Sequence, residues 1–265
     1  MPGGRLLATG QFGPASHPVQ VWDLANPQSK PIDLPDDELG GWAAGVAFSP
    51  DGKVFAACGE GLTVWRMQQR EKAAAAPSRL SFERVAHLPG RRSLYLRISA
   101  NSKLLAWVDR DCSVCLWDLA NEREIPFVGP PLLEGWHSLA FWPDSDHLTF
   151  GTAKRMFETW DARTARRVSS LGQVKEGTGV AASADGRWLT NADPTLWSSK
   201  TGSRGLALPP ESTLIWSLAW SPDGERLAVG LADGGLVIWN VPKIQTELTR
   251  IGLAWRAEAR PPQEQ

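Results

Sequence analysis

Residues 216–240 have the sequence WSLAWSPDGERLAVGLADGGLVIWN, and this stretch decides the fold. Apolar residues alternate with small or polar ones, a pattern with a period of two that predicts β-strands. The expected strands fall at 216–220, 226–230 and 236–240. The segments SPDG and ADGG lie between them, and proline, aspartate and glycine favour tight turns. The stretch is therefore predicted to form three antiparallel strands joined by two hairpins.

The same pattern recurs along the chain. A tryptophan closes a run of alternating apolar residues at six positions, which are Trp22, Trp65, Trp117, Trp160, Trp197 and Trp239. The intervals between them run from 37 to 52 residues. An interval of about 40–45 residues is the period of a four-stranded propeller blade, a unit that buries its faces only by stacking on its neighbours. Outer fourth strands are expected at 31–34, 82–86, 124–127, 168–171 and 206–208.

A Ser-Pro-Asp-Gly turn, an apolar strand and a closing Trp-Asp pair together resemble the WD40 repeat family, over roughly residues 4–240. The pair is intact at Trp22-Asp23, Trp117-Asp118 and Trp160-Asp161. This resemblance implies an all-β, WD40-type β-propeller with about six blades, which would act as a scaffold that binds proteins or peptides. The Gly-His dipeptide of many WD40 blades does not occur in this sequence. We therefore expect strand packing to supply most of the rigidity of the blades.

The two ends of the repeat array depart from a complete blade. Residues 3–10 match the first turn and second strand of a repeat, so the first blade is expected to lack its inner strand, strand a. After Asn240, apolar residues Ile244, Leu248 and Ile251 follow a helical spacing, with Pro242 before them and Gly252 after them. The last blade is thus expected to lack its outer strand, strand d. The predicted organisation is a propeller over 1–241, a short amphipathic helix over 242–255 and a disordered tail over 256–265.

An incomplete blade exposes an unpaired strand edge, which is a template for another strand. Three explanations are open: the helix covers the edge, a partner chain or a second copy pairs with it, or the sequence is the end of a longer repeat protein. The C-terminal segment resembles the end of large bacterial WD40 proteins, some of which carry an upstream serine/threonine kinase or sigma-factor-like region. This resemblance implies derivation from a bacterial regulator, or alternatively a fragment of such a protein without activity of its own.

Composition argues against several classes of partner. Lys and Arg number 28 and Asp and Glu number 29, and the two signs are interspersed, which argues against nucleic acid or an anionic membrane as a partner. Neither a signal peptide nor an apolar run of membrane-spanning length is recognisable, so a cytoplasmic location is expected. Cys112 and Cys115 form a C-x-x-C, but they run into a predicted strand and are interpreted as structural.

No motif for catalysis, a cofactor or a metal is recognisable in the sequence. His17, His87, His137 and His147 are dispersed without the spacing of metal ligands. The acidic pairs Asp109/Asp111 and Asp144/Asp146 fall in predicted turns, where aspartate binds backbone amides. The chain is therefore interpreted as non-catalytic, without a cofactor; the alternative is a propeller enzyme that uses carboxylates or histidines of its central channel.

Propellers most often bind partners through the loops on one face, those that join strand d to strand a and strand b to strand c. Arginine and tryptophan side chains are the residue types that anchor protein interfaces. The candidates at such positions are Trp42, Arg91, Arg92, Arg110, Trp136, Lys154, Arg155 and Trp216. The alternative is that the three tryptophans pack near the propeller axis and that the charged residues are merely solvated.

Overall fold

A computed structural model describes residues 4–11, 13, 17–34, 39–69, 80–132, 139–173, 179–193, 195–198, 204–211 and 213–253. This part of the chain forms six antiparallel sheets and one α-helix. The sheets are the blades of a β-propeller, which confirms the predicted fold. The chain divides into two compact units, residues 1–128 and 129–265, each with three blades.

The first unit begins with a three-stranded blade and continues with two four-stranded ones. The first blade consists of β1 (Leu6–Gly10), β2 (Val19–Asp23) and β3 (Ile32–Leu34). The second consists of β4 (Gly45–Phe48), β5 (Val54–Cys58), β6 (Leu62–Gln69) and β7 (Leu80–Leu88). The third consists of β8 (Leu96–Ile98), β9 (Leu104–Val108), β10 (Val114–Asp118) and β11 (Arg123–Ile125). Strands adjacent in sequence are adjacent in each sheet, so every blade is a simple meander.

The second unit has two four-stranded blades and ends with a three-stranded one. The fourth blade consists of β12 (Leu139–Phe141), β13 (His147–Gly151), β14 (Met156–Asp161) and β15 (Arg166–Gln173). The fifth consists of β16 (Val180–Ala182), β17 (Trp188–Asn191), β18 (Thr195–Ser198) and β19 (Arg204–Ala207). The sixth consists of β20 (Ile215–Trp220), β21 (Arg226–Leu231) and β22 (Leu236–Asn240). All five predicted outer strands are present, as β3, β7, β11, β15 and β19.

Within each unit, the blades bury their faces against one another. In the first unit, Val19 and Val21 of β2 pack in one cluster with Phe55 and Trp65 of the second blade. In the second unit, Leu196 of β18 packs in one cluster with Leu227 and Val229 of β21. The residues that meet in this way alternate along their strands, as a period of two requires. The spacing of the repeat therefore positions one buried face after another.

A serine and an aspartate also hold the turn between the two inner strands of a blade. In the fifth blade, the Ser183 hydroxyl donates to Asp185 Oδ1 over 2.6 Å and accepts a hydrogen bond from the Trp188 amide over 2.9 Å. Ser49 and Asp51 make the corresponding hydrogen bond over 2.6 Å in the second blade. These side chains satisfy backbone groups that the turn leaves unpaired. Hydrogen bonds of these turns thus add to the rigidity of the blades, beyond the strand packing that was expected from the sequence.

The indole groups of the repeat tryptophans differ in their hydrogen bonds. Trp160 Nε1 donates to Glu158 Oε2 over 3.1 Å, and Trp22 Nε1 lies 3.4 Å from Thr9 Oγ1. Trp197 Nε1 and Trp239 Nε1 are buried and find no acceptor among the described residues. These two indoles contribute to their blades through packing, as expected for repeats without the Gly-His dipeptide.

The first and last blades each lack one strand among the described residues, as predicted. Among the described strands, the innermost strand of the first sheet is β1, which pairs only with β2, and the outermost strand of the last sheet is β22, which pairs only with β21. Leu236 and Ile238 of β22 are 66% and 60% exposed. The antiparallel register pairs Ile238 with Ala228, between pairs that exchange hydrogen bonds, so the Ile238 amide and carbonyl point to the open edge.

The predicted C-terminal helix is present as α1 (Val241–Arg250), but it ends before residue 255. The reason is Gly252, whose φ of +77° stops helical propagation. Asn240 caps the helix, because its side chain accepts a hydrogen bond from the Lys243 amide over 2.9 Å. Ile244 packs with the core of the last blade, whereas Ile251 is 58% exposed. The tail at 256–265 lies outside the described residues.

The residue that follows the repeat tryptophan binds the backbone of the turn after its strand. Asp161 Oδ1 accepts hydrogen bonds from the amides of Arg163 and Thr164, both over 2.8 Å. Asp118 binds the amides of Ala120 and Asn121 in the same way, over 3.0 Å each. The aspartate of the Trp-Asp pair therefore forms the turn that leads to the outer strand.

Candidate binding surface

Trp42, Glu60 and Arg92 meet in the first unit and form what we call the Trp42–Arg92 surface. The guanidinium carbon of Arg92 lies 5.5 Å from the centroid of the Trp42 ring, a cation–π contact. Arg92 Nε lies 3.5 Å from Glu60 Oε1, and both side chains are partly exposed. Trp42 precedes β4 and Arg92 precedes β8, whereas Glu60 lies in the turn between β5 and β6. These are the two loop types in which the sequence argument expected a binding rim.

The backbone around this surface is closely packed. The Glu60 amide donates to the Leu39 carbonyl over 3.0 Å, and the Ser93 amide donates to the Gly59 carbonyl over 3.0 Å. A Cβ atom on Gly59 would lie only 2.2 Å from the Trp42 carbonyl oxygen, so only glycine fits there. Leu39 is fully buried beneath the loop. The Trp42–Arg92 surface is therefore set by backbone hydrogen bonds and not only by side-chain rotamers.

Arg91 lies beside Arg92 but makes different contacts. Its Nη1 is 2.6 Å from Asp109 Oδ2, and its Nη2 is 3.2 Å from Glu124 Oε2. The hydrogen bond with Asp109 raises the pKa of Arg91, and Glu124 adds a second negative charge. Asp109 is only 12% exposed, so this is a shielded ion pair. Arg91 thus joins the loop before β8 to the β9–β10 turn and to β11.

The structure places the remaining candidates separately. Arg110 is exposed in the turn between β9 and β10. In the second unit, Lys154 and Arg155 occupy the turn between β13 and β14, where Arg155 has a φ of +57°. Trp216 lies on β20 and is 62% exposed. Trp136 lies outside the described residues, so its place in the rim stays a prediction.

Sequence reasoning missed the acidic partners of the arginines. Glu60, Asp109 and Glu124 were not proposed as parts of the surface, although each contacts an arginine there. Glu60 does carry a sequence signal, because it stands in the Gly59-Glu60-Gly61 turn between two predicted strands. That turn is one of the loop types that line the face of a propeller.

The contacts of Asp144 and the burial of two cysteines indicate structural roles for these residues. Asp144 binds the amides of Asp146 and His147, both over 3.1 Å, which is the predicted turn role. Cys58, Cys112 and Cys115 are free thiols. Burial raises the pKa of Cys58 to about 12, and burial together with Asp109 raises that of Cys115 to about 12. These two cysteines are therefore protonated and weakly nucleophilic near neutral pH.

No group of three or more His, Cys, Asp or Glu side chains in the described ranges could hold a metal ion. Among the same residues, no helix has the length and apolar character required to cross a bilayer.

Comparison with known proteins identifies one repeat directly. Residues 207–240 match the family model described as WD domain, G-beta repeat. This segment holds the stretch that decided the fold, with β20, β21 and β22. No curated protein matches the chain.

Proposed function

Because this chain is a WD40-repeat β-propeller, we propose that it is a non-catalytic scaffold that binds a protein or peptide partner through the Trp42–Arg92 surface. The observation that carries the proposal is the contact of Arg92 with both Trp42 and Glu60. Tryptophan and arginine are the side chains that most often dominate binding energy at protein interfaces. WD40 propellers commonly act as interaction scaffolds, which agrees with this role.

The arrangement favours binding because its parts are already in place. Hydrogen bonds from Glu60 and Ser93 fix the two loops, so a partner would not need to order them. Neighbouring Arg91 is held by Asp109 and Glu124. The surface presents an aromatic ring beside charges of both signs, which suits a protein surface of mixed polarity better than a uniformly charged polymer.

Affinity purification from cells with quantitative mass spectrometry tests this role. We expect the double variant Trp42→Ala, Arg92→Glu to lose partners that the wild-type chain retains. Arg66→Glu is the matched control, since Arg66 is 49% exposed, against 43% for Arg92, and contacts Glu122 elsewhere in the same unit. A partner retained equally by both variants would show that the Trp42–Arg92 surface is not the binding site, and turnover of a small molecule would contradict the non-catalytic role.

The carboxylates of the acidic pairs support a non-catalytic interpretation. Asp109 is bound to Arg91, and Asp144 is bound to the backbone of its own turn. A general acid or base must be able to reach a substrate, and these carboxylates are directed into structural contacts.

A second candidate function is self-association through the open edge of the last blade. The observation that favours it is the strand β22, which pairs only with β21 among the described strands and exposes Leu236 and Ile238. Unpaired backbone groups beside exposed apolar side chains favour the addition of another strand. A second copy of this chain could supply one.

We further propose that the protein works in the bacterial cytoplasm as part of a larger regulator. The resemblance of the C-terminal segment to bacterial WD40 proteins supports this proposal. Immunoblotting of fractionated cells would measure the compartment and compare the native mass with the 28.9 kDa of this sequence. Detection in a membrane fraction, or only at 28.9 kDa, would contradict the corresponding part.

A further inference from the structure

Arg97 lies on β8, the innermost strand of the third blade. Leu96 is buried in the core between the second and third blades, and side chains alternate along a strand, so Arg97 points to the opposite face. Tyr95 precedes β8, and its carbonyl oxygen accepts a hydrogen bond from the Val108 amide over 3.4 Å, which continues the pairing with β9. Two residues before Arg97 in this extended pairing, Tyr95 belongs to the same face. The Arg97 side chain is exposed and that of Tyr95 is half-buried. An arginine and a phenol therefore stand side by side at the inner edge of this blade.

The backbone of the segment that carries this pair packs closely against β4. A Cβ atom on Gly45 of β4 would lie 3.1 Å from the Leu94 carbonyl oxygen and 2.8 Å from Cys58 Sγ. The missing side chain at Gly45 thus lets the segment that carries Tyr95 and Arg97 approach the second blade. Burial lowers the pKa of Arg97, even though its side chain is exposed. The surrounding protein thus partly desolvates Arg97, although the residue itself is exposed.

The hydrogen bonding of Arg97 differs from that of the two arginines before it. Its Nη1 donates to the carbonyl oxygen of the adjacent Leu96 over 2.9 Å. Within the described ranges no carboxylate forms an ion pair with Arg97, whereas Arg91 and Arg92 each have acidic partners. The remaining N–H groups of the guanidinium are available to a ligand.

The neighbouring titratable groups do not neutralise this charge. Burial raises the pKa of Tyr95, and burial raises that of Cys58 to about 12, so both are neutral near physiological pH. Arginine remains protonated in proteins at such pH values. The pair thus presents a positive charge and a neutral hydroxyl donor in partly desolvated surroundings, where an electrostatic contact is stronger than in bulk water.

We propose that Arg97 and Tyr95 form a binding site for a carboxylate group. A guanidinium has donors and no acceptor, and its planar fork matches the two oxygens of a carboxylate. The phenol of Tyr95 adds a donor on the same face. The carboxylate could belong to an acidic side chain of a bound peptide or to a free small acid. This site goes beyond the role proposed for the Trp42–Arg92 surface and does not depend on it.

The site is tested on the full chain by NMR titration of arginine side-chain signals at constant ionic strength. The probes are a blocked tripeptide with a central glutamate, its glutamine counterpart and sodium glutarate. We expect the glutamate peptide, and not the glutamine peptide, to shift the Arg97 signal in a saturable way. A response to glutarate of equal affinity would identify a free acid as sufficient, and a stronger response to the peptide would identify an acidic side chain as the source.

Substitutions separate binding from folding. Arg97→Gln should weaken binding about tenfold to a hundredfold, and Tyr95→Phe should weaken it less, because the charged hydrogen bonds are the stronger ones. Arg97→Lys keeps the charge without the fork and should retain part of the affinity. Equal shifts with both peptides, or no shift with the glutamate peptide and glutarate, would overturn the proposal.

The stability of variants, measured without a ligand, gives a second test, because the charge of Arg97 has no ion-pair partner among the described residues. Arg97→Met should leave the urea midpoint unchanged or raise it, because it removes a desolvated cation. Arg91→Met should lower the midpoint, because it leaves Asp109 without its partner. A loss for Arg97→Met as large as that for Arg91→Met would show that Arg97 is structural and would overturn the proposal.

Discussion

The indole Nε1 of Trp142 donates a hydrogen bond to Thr149 Oγ1 over 2.7 Å inside the fourth blade. Thr149 Oγ1 is also 2.7 Å from Thr159 Oγ1, so three buried side chains share one polar network. Thr190 holds the same place in the fifth blade: it pairs with Ala181 as Thr149 pairs with Ala140. The Thr190 hydroxyl is buried without a partner among the described residues. One strand position thus has a satisfied hydroxyl in one blade and an unsatisfied one in the next.

This contrast predicts opposite effects for the same substitution. Thr149→Val should lower the free energy of unfolding by about 1–3 kcal/mol, because it leaves buried polar groups without a partner. Thr190→Val should be neutral or stabilising, because it removes a hydroxyl that is buried without a hydrogen bond. Equilibrium urea denaturation of both variants measures the difference. Equal losses for the two variants would contradict the prediction.

Ser183 and Asp185 form what we call the turn clamp of the fifth blade, and Ser49 and Asp51 that of the second. The serine of a turn clamp should contribute more to the free energy of unfolding than an exposed turn serine. Ser183→Ala removes the hydrogen bonds with Asp185 and with the Trp188 amide at a fully buried position, so we expect a loss of about 1–3 kcal/mol in the free energy of unfolding. Ser29→Ala is the control, since its hydroxyl binds the Asn26 carbonyl in an exposed turn, and its effect should stay within about 0.5 kcal/mol. Thermal and urea unfolding of the pair provide the measurement. A loss for Ser29→Ala as large as for Ser183→Ala would exclude a special role for the clamp.

The same clamps predict acid sensitivity. Burial raises the pKa of Asp185, but hydrogen bonds from Ser183 and from the Arg187 amide outweigh it and hold the pKa below its usual value of 3.8. Asp51 shows the same balance with Ser49. A carboxyl whose pKa is lower in the folded state stabilises the fold above its unfolded pKa, and this contribution is lost as the pH falls through the folded pKa.

We therefore expect stability to be constant from neutral pH down to about pH 5 and to fall below the usual aspartate pKa. Asp185→Asn should be less stable at neutral pH and should lose less on acidification. Urea denaturation across this pH range measures both effects. An acid loss in Asp185→Asn as steep as in the wild type would show that Asp185 is not among the responsible groups.

The open edge of β22 predicts self-association of the chain, and one positive charge introduced on this strand should prevent it. Ile238→Lys places a positive charge beside the outward-facing amide and carbonyl of that strand, and lysine on an edge strand opposes further pairing. Multi-angle light scattering should show a concentration-dependent mass for the wild type and a monomer for this variant. Val128→Lys is the control, because Val128 is 85% exposed and lies outside the strands. A wild-type chain that stays monomeric at high concentration would exclude self-association through β22.

The strands could be predicted from sequence because their signals are local. The alternation over 236–240 and the SPDG turn before β21 are read within a few residues, and the structure places β20, β21 and β22 where they indicate. The predicted bound of 255 lies beyond the end of α1 at Arg250, although Gly252, the expected C-terminal signal, does end the helix through its backbone.

The contacts of the candidate surface could not be predicted in the same way. Arg92 lies in the loop that leads into the third blade, whereas Trp42 and Glu60 lie in loops of the second blade. Their meeting therefore depends on how the second blade packs against the third. Arginine and tryptophan in rim loops could be identified by type, but the acidic partners could not. Hydrogen bonds across blades, such as that of the Ser93 amide with the Gly59 carbonyl, set the distances.

Asn240 shows how a repeat can change its ending with little change in sequence. It stands where Asp161 stands in the fourth blade, and its side-chain oxygen accepts from the amide three residues on, as that of Asp161 does. Asparagine and aspartate are about equally good helix caps. The residue that turns one repeat toward an outer strand can therefore start a helix in another, when Pro242 and helix-forming residues follow. In evolutionary terms, a strand could be exchanged for a helix by changing the segment after the cap, while the remainder of the blade kept its sequence pattern.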